Sequence, residues 1–117
     1  MSEEPEEPEK VARARRRIAR PSTAHTLQRV QRVFCEPARL QIVRALDREA
    51  LSVGDLATVI DRKVQATSQH LRVLRQLGVV ERERQGRKVY YHLTRNVLVN
   101  QLQGIINTVE RTAAETN

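Results

Sequence analysis

A mainly α-helical domain carrying one small β-hairpin is the fold class this sequence predicts. Three observations predict it. Apolar residues recur at helical spacing in five stretches between Ser22 and Ala113. The period changes to strict alternation once, from Val80 to Leu93, around Gln85-Gly86. Two of the helical stretches are separated only by Asp61-Arg62-Lys63, the short turn of a helix-turn-helix.

The 117 residues suit one domain, and a small domain gains stability by oligomerising. Aromatics are sparse, so the core must be Leu, Val, Ile and Ala. The net charge is +7, carried almost wholly by Arg, which suits bidentate contacts to phosphate and to guanine. Nucleic acid is the expected partner of such a domain, although a basic pI alone also suits an anionic membrane surface. No apolar run approaches the roughly 20 residues of a membrane span, and no signal-peptide core is visible. A cytoplasmic protein is expected. The single Cys35 allows no disulfide within the chain.

Residues 1–21 read as a tail, acidic then basic and partly disordered. Met1 to Glu9 holds five Glu and two Pro, a composition that cannot pack. Lys10 to Arg20 reverses the sign with one Lys and five Arg, in residues that favour helix. It is either a solvated tail or a basic arm for DNA. The domain proper spans 22–114, with 115–117 trailing it. Ser22 or Thr23 is expected to cap a first helix to Phe34, with Leu27, Val30 and Phe34 on one stripe and Val33 beside it. Glu36-Pro37 opens a second helix, with Leu40, Val43, Ala45 and Leu46 inward. Leu51 to Val53 is extended. Ser52 and Asp55 resemble a capping box that starts a third helix, Val53 to Ile60, with Leu56, Ala57 and Ile60 inward.

Lys63 to Leu77 is a fourth helix with unlike halves. Leu71, Leu74 and Leu77 suit docking on a core, and Gly78 suits the stop. Gln65, Thr67, Ser68 and Gln69 give the front half a hydrogen-bonding character, as a major-groove reader requires. Alone, this stretch reads equally as an amphipathic helix whose polar face meets water. The hairpin that follows carries Arg84, Arg87 and Lys88 at its tip, which folding explains poorly and phosphates explain well. Thr94 is expected to cap a last helix, about Arg95 to Ala113, striped by Leu98, Leu102, Ile105, Ile106 and Val109. With nothing later in the chain to cover that stripe, a homodimer through these residues and Leu27 and Val30 of the first helix is the economical answer.

In order, these elements make a winged helix-turn-helix of five helices plus wing. Phe34 to Leu46 resembles the opening of ArsR/SmtB-type bacterial repressors, with Glu36 where Asp is commoner. Ser52 to Ala57, Ala66 to Val80 and Gly86 to Leu93 are similar to that family's next three segments, in the same order and spacing. The resemblance covers about Leu27 to Val109. It implies a homodimeric repressor that places its fourth helix in successive major grooves of a pseudo-palindromic operator, with half-sites about 10 bp apart. Gln65, Thr67, Ser68 and Gln69 would meet base edges. Lys63, Arg72, Arg75, Arg84, Arg87 and Lys88 would hold phosphates or the minor groove, although Arg72 and Arg75 also suit solvation or pairing with Glu81 or Glu83. His70 reads as a packing and hydrogen-bonding residue.

Many members of this family release DNA on binding a metal. One site type has a Cys-x-Cys where this chain has Ser52-Val53-Gly54. Another takes Asp and His from the last helix, which here has neither. No metal and no cofactor is therefore expected. Cys35 reads first as a buried small hydrophobe, then as a redox-sensing thiol, then as a metal ligand. No nucleophile–base set or phosphate-binding Gly loop is present, so an enzyme is not expected. A sequence-neutral, chromatin-type DNA binder and a protein-interaction winged-helix module are the competing classes.

Overall fold

A computed structural model describes residues 4–116. Its elements are α1 (Pro8–Ile18), α2 (Pro21–Phe34), α3 (Pro37–Ala45), α4 (Val53–Ile60), α5 (Val64–Gln76), β1 (Val80–Gln85), β2 (Lys88–Leu93) and α6 (Val97–Thr116). The five helices and the hairpin expected from periodicity are all present. The sixth helix is α1, which begins inside the stretch expected to be disordered. The part of that expectation concerning residues 1–3 lies outside the described residues, as does the last residue of the tail.

Three helices start on proline at the first turn, where the missing N–H would have had no partner. This corrects the expected cap of α2. Pro21 sets its start and Arg20 occupies the cap position, with no side-chain cap bond from Ser22 or Thr23. Ser52 caps α4 as expected, its Oγ accepting from the Asp55 N–H at 3.2 Å. Thr94 does not cap α6. Asn96 does, its Oδ1 accepting from the Val99 N–H at 2.9 Å. Thr94 instead donates its hydroxyl to the carbonyls of Gly78 and Val79, tying the end of the hairpin to the end of α5.

The core is one aliphatic cluster. Val33 enters from α2, Ala38, Ile42 and Val43 from α3, Leu56 and Ile60 from α4, and Leu71, Val73 and Leu74 from α5. Leu98, Val99, Leu102 and Ile106 close it from α6. On α2 the expected inward stripe is displaced: Val33 is fully buried, while Leu27 is 61% exposed. On α4 the three expected residues, Leu56, Ala57 and Ile60, are all buried. Two polar bridges hold α6 against the region of α3: Arg44 pairs with Glu110 at 2.6 Å, and Gln103 Nε2 donates to Asp47 at 2.6 Å.

β1 and β2 pair antiparallel, from Val80 opposite Leu93 to Gln85 opposite Lys88. The connection is the two residues Gly86 and Arg87, and Gly86 has φ 66°. Positive φ at the first loop position favours glycine and suits the twist of a tight hairpin. Leu51 adds an isolated bridge to Tyr91, each N–H donating to the other's carbonyl, which ties the segment before α4 to the edge of the two-stranded hairpin.

Candidate nucleic-acid interface

α4, the turn 61–63 and α5 form the helix-turn-helix, and both helices end by the same device. At the end of α4 the Arg62 N–H donates to Ala57 and the Asp61 N–H to Thr58, with Asp61 left-handed at φ 55°. At the end of α5 the Val79 N–H donates to Leu74 and the Gly78 N–H to Arg75, with Gly78 at φ 77°. This is the Schellman pattern of helix termination. Gly78 carries more of the architecture than its size suggests, since its carbonyl accepts from both Thr94 and Asn96. A Cβ there would meet the Arg29 guanidinium at 3.3 Å. Gly78→Ala is expected to cost about 1–2 kcal/mol, chiefly from the left-handed backbone. Urea unfolding would read this as a lower midpoint at unchanged m-value.

The front of α5 separates the four expected base-reading residues. Gln65, Ser68 and Gln69 are exposed, and among the described residues none of their side chains has a hydrogen-bond partner. Thr67 is 0% exposed, and its hydroxyl donates to the Lys63 carbonyl at 2.9 Å. Its expected contact with bases is therefore corrected: Thr67 faces the core, with its hydroxyl satisfied one turn back. Its spacing of four from Leu71 and seven from Leu74 is the signal that it belongs to the inward stripe.

The cations surround this front. Lys63 occupies the N-cap position of α5, where no side-chain cap bond forms, so the first-turn N–H groups are not satisfied by a side chain. Arg72 and Arg75 are exposed along α5, and neither pairs with Glu81 or Glu83. Glu81 instead faces His92 across the hairpin at 3.5 Å. Arg84, Arg87 and Lys88 are exposed at the hairpin tip, and Arg82 joins them one step down β1. Arg82 was not among the expected contacts, since it lies below the hairpin tip between Glu81 and Glu83.

His70 is held as a structural residue. Arg39 Nε donates to His70 Nδ1 at 3.4 Å, while Arg39 Nη1 donates to the Arg32 carbonyl at 2.9 Å. Arg29 Nη2 donates to the Leu77 carbonyl. Two arginines thus join α2 and α3 to the middle and the C-terminal end of the reading helix. Sequence reasoning gave neither a role: Arg29 lies outside the family-like segments, Arg39 lies inside the first of them, and the bonds of both to the reading helix span long sequence separations.

Cys35 is exposed, with its thiol near the Arg32 carbonyl at 3.6 Å. The expectation of a buried small hydrophobe is corrected: Cys35 is the C-cap of α2, and the core behind it is filled by Val33 and Ala38. Among the described residues, no three of His, Cys, Asp and Glu gather where they could hold a metal ion. No described helix is long and apolar enough to cross a membrane.

The expected dimer stripe divides in two. Leu98, Leu102 and Ile106 belong to the protomer's own core. Leu27 and Val30 of α2 face Gly104, Ile105, Thr108 and Val109 of α6 across an open, mostly apolar groove. Ile105 is 43% exposed and Val109 60%. The two faces of α6 are distinct, since Gln103, Ile106, Asn107 and Glu110 line a separate cleft toward α3 and α4.

A family model described as a helix-turn-helix domain matches residues 35–83. The chain is 35% identical over 107 residues to the cadmium resistance transcriptional regulatory protein CadC of Listeria innocua, covering 91% of this chain and 89% of that protein. It is 40% identical over 67 residues to the transcriptional repressor SmtB homologue of Synechocystis, covering 57% of this chain and 51% of that one. Among solved structures, the transcriptional repressor BigR of Xylella fastidiosa superposes with a TM-score of 0.64 at 28% identity, covering 74% of this chain and 88% of that chain.

Proposed function

Since this chain belongs to the ArsR/SmtB-type helix-turn-helix repressors, the family of CadC and SmtB, we propose that it binds a pseudo-palindromic operator as a homodimer and reads it with Gln65, Ser68 and Gln69. The chain is a sequence-specific, double-stranded-DNA-binding transcriptional repressor whose releasing signal is unidentified. Its relatives are transcriptional regulators, and the proposed role includes no catalysis and a cytoplasmic setting.

The observation that carries the assignment of residues is the exposed polar front of α5, whose side chains make no hydrogen bond within the described residues. Three exposed side chains with free donors and acceptors stand together on a helix whose other face is locked into the core. Gln can pair bidentately with adenine, and Ser can serve several bases. Lys63, Arg72, Arg75, Arg84, Arg87 and Lys88 supply the flanking charge for phosphates or, at the wing, the minor groove. The open groove between α2 and α6 is the proposed dimer surface.

Base reading and phosphate holding separate in one experiment. Gln69→Ala is expected to weaken operator binding by about 1–3 kcal/mol and to leave random-duplex binding nearly unchanged. Titration of both duplexes at one salt concentration checks it. Equal loss on both would remove Gln69 from the base-reading set and favour a sequence-neutral binder.

A further inference from the structure

α1 is a helix that the folding of the protomer does not explain. None of its residues is buried, and Ile18, its largest apolar side chain, is 82% exposed. Yet it carries most of the chain's concentrated charge. Lys10, Arg13 and Arg17 follow at helical spacing with Arg16 beside them, so four cations share one side of α1, and Arg20 stands just beyond its end. Arg13, Arg16, Arg17 and Arg20 line a single concave surface together with Thr23. Among the described residues, only Lys10 has a carboxylate partner, Glu7 at 2.7 Å. Like charges at i, i+3 and i+4 repel one another. Among the described residues, an ion pair offsets that repulsion only at Lys10.

We propose that α1 is a DNA-binding arm whose arginine face lies along the phosphates of the duplex held by α5 and the wing. Charge complementarity selects this occupant. A second copy of the chain would bring its own net charge of +7 to the same face. An anionic membrane would need a substantial apolar face beside the cationic one, and on the side of α1 away from the cations that face is Val11, Ala14 and Ile18, with Ala12 apart from it. A cluster of Arg rather than Lys suits the bidentate geometry of phosphate. The contact is independent of sequence. Its contribution should therefore appear on every duplex, unlike that of Gln69.

This inference rests on the DNA-binding reading above, and its test keeps the two apart. The full-length variant Arg13→Ala, Arg16→Ala, Arg17→Ala, Arg20→Ala removes four cations from each arm without touching a buried residue. Ala keeps the helix propensity, so circular dichroism should be unchanged. Binding is measured against salt on the operator and on a random duplex. The logarithmic salt slope falls by about 0.9 for each phosphate that is no longer neutralised. The expected result is a slope shallower by about 2 or more, and affinity lower by about tenfold or more near physiological salt, on both duplexes. The matching Arg→Lys variant should retain most of the slope. An unchanged slope in the Ala variant would overturn the proposal and leave α1 a solvated tail. Wild-type binding to vesicles of phosphatidylserine and phosphatidylcholine, abolished in the Ala variant while its DNA slope stays intact, would overturn it in favour of a lipid surface. If wild type fails to prefer its operator, the repressor reading fails, and the slope comparison on random duplex still decides the arm.

Discussion

Ile105→Asp is expected to turn the proposed dimer into monomers and to weaken operator binding by about 10²- to 10⁴-fold, the avidity that disappears when two linked reading heads become independent. Ile105 sits at the centre of the groove between α2 and α6, half-exposed in the protomer and flanked by Leu27, Val30 and Val109. Across a two-fold axis the same patch meets itself, so one substitution places two carboxylates in an apolar contact. Neither finds a cation within the groove, whose polar members are Thr26, Gln101 and Thr108. Gly104 strengthens the assignment. It lies inside a long helix, where glycine costs roughly 1 kcal/mol relative to alanine, and open space surrounds the position a Cβ would take. Packing within the protomer gives no reason for it, whereas close approach of a second helix does. Sedimentation would show the change in mass. Val59→Asp is the control, because Val59 is 60% exposed on α4 outside this groove and its substitution should leave the dimer intact. An Ile105→Asp protein that still sediments as a dimer would require another interface.

Leu74→Ala should be the most damaging truncation in the reading helix, costing about 2–5 kcal/mol. Leu74 is fully buried among the aliphatic side chains of the central cluster. Its carbonyl also accepts the Val79 N–H that closes the end of α5, and Val79 is itself fully buried. The substitution thus opens a cavity at the point where α5 turns into the wing. Against a total stability of about 5–15 kcal/mol for a domain, this is a large fraction. Thermal unfolding at fixed protein concentration should show a melting point lower by about 10–30 °C. A loss below about 1 kcal/mol would mean the core collapses freely around the missing atoms.

The helix-turn-helix was readable because local chemistry and core packing agree there. Ser52 caps α4, Gly78 ends α5, and Leu56, Ala57, Ile60, Leu71 and Leu74 face inward at the spacing of their helices. The hairpin was readable because alternation and a glycine at the turn coincide. The departures have physical causes. Proline at the first turn outweighed a hydroxyl cap at α2, since a fixed φ and an absent donor already suit that position. Thr94 was drawn to the carbonyls of Gly78 and Val79, leaving the cap of α6 to Asn96. Thr67 looked like a reader because threonine is polar, but its hydroxyl is satisfied by Lys63 and its methyl can pack. The stripe of α6 looked like one surface because Leu98, Leu102, Ile105, Ile106 and Val109 fall within an arc of about 100° around the helix. The fold splits that arc between the protomer's own core and an open groove.

The bonds from Arg29 and Arg39 set how the reading helix can move. α2 carries Leu27 and Val30 into the proposed dimer groove, and the last turns of the same helix are joined to α5 through Arg29 to Leu77 and through Arg39 to Arg32 and His70. In the proposed dimer, the same turns of α2 serve both contacts, with Leu27 and Val30 toward the second copy and the interleaved Arg29 and Arg32 toward the reading head. The separation of the two heads is then fixed by how the two copies of α2 sit against each other. A signal that tilts that joint changes the pitch and spacing presented to the operator, with every base-contacting side chain left as it was.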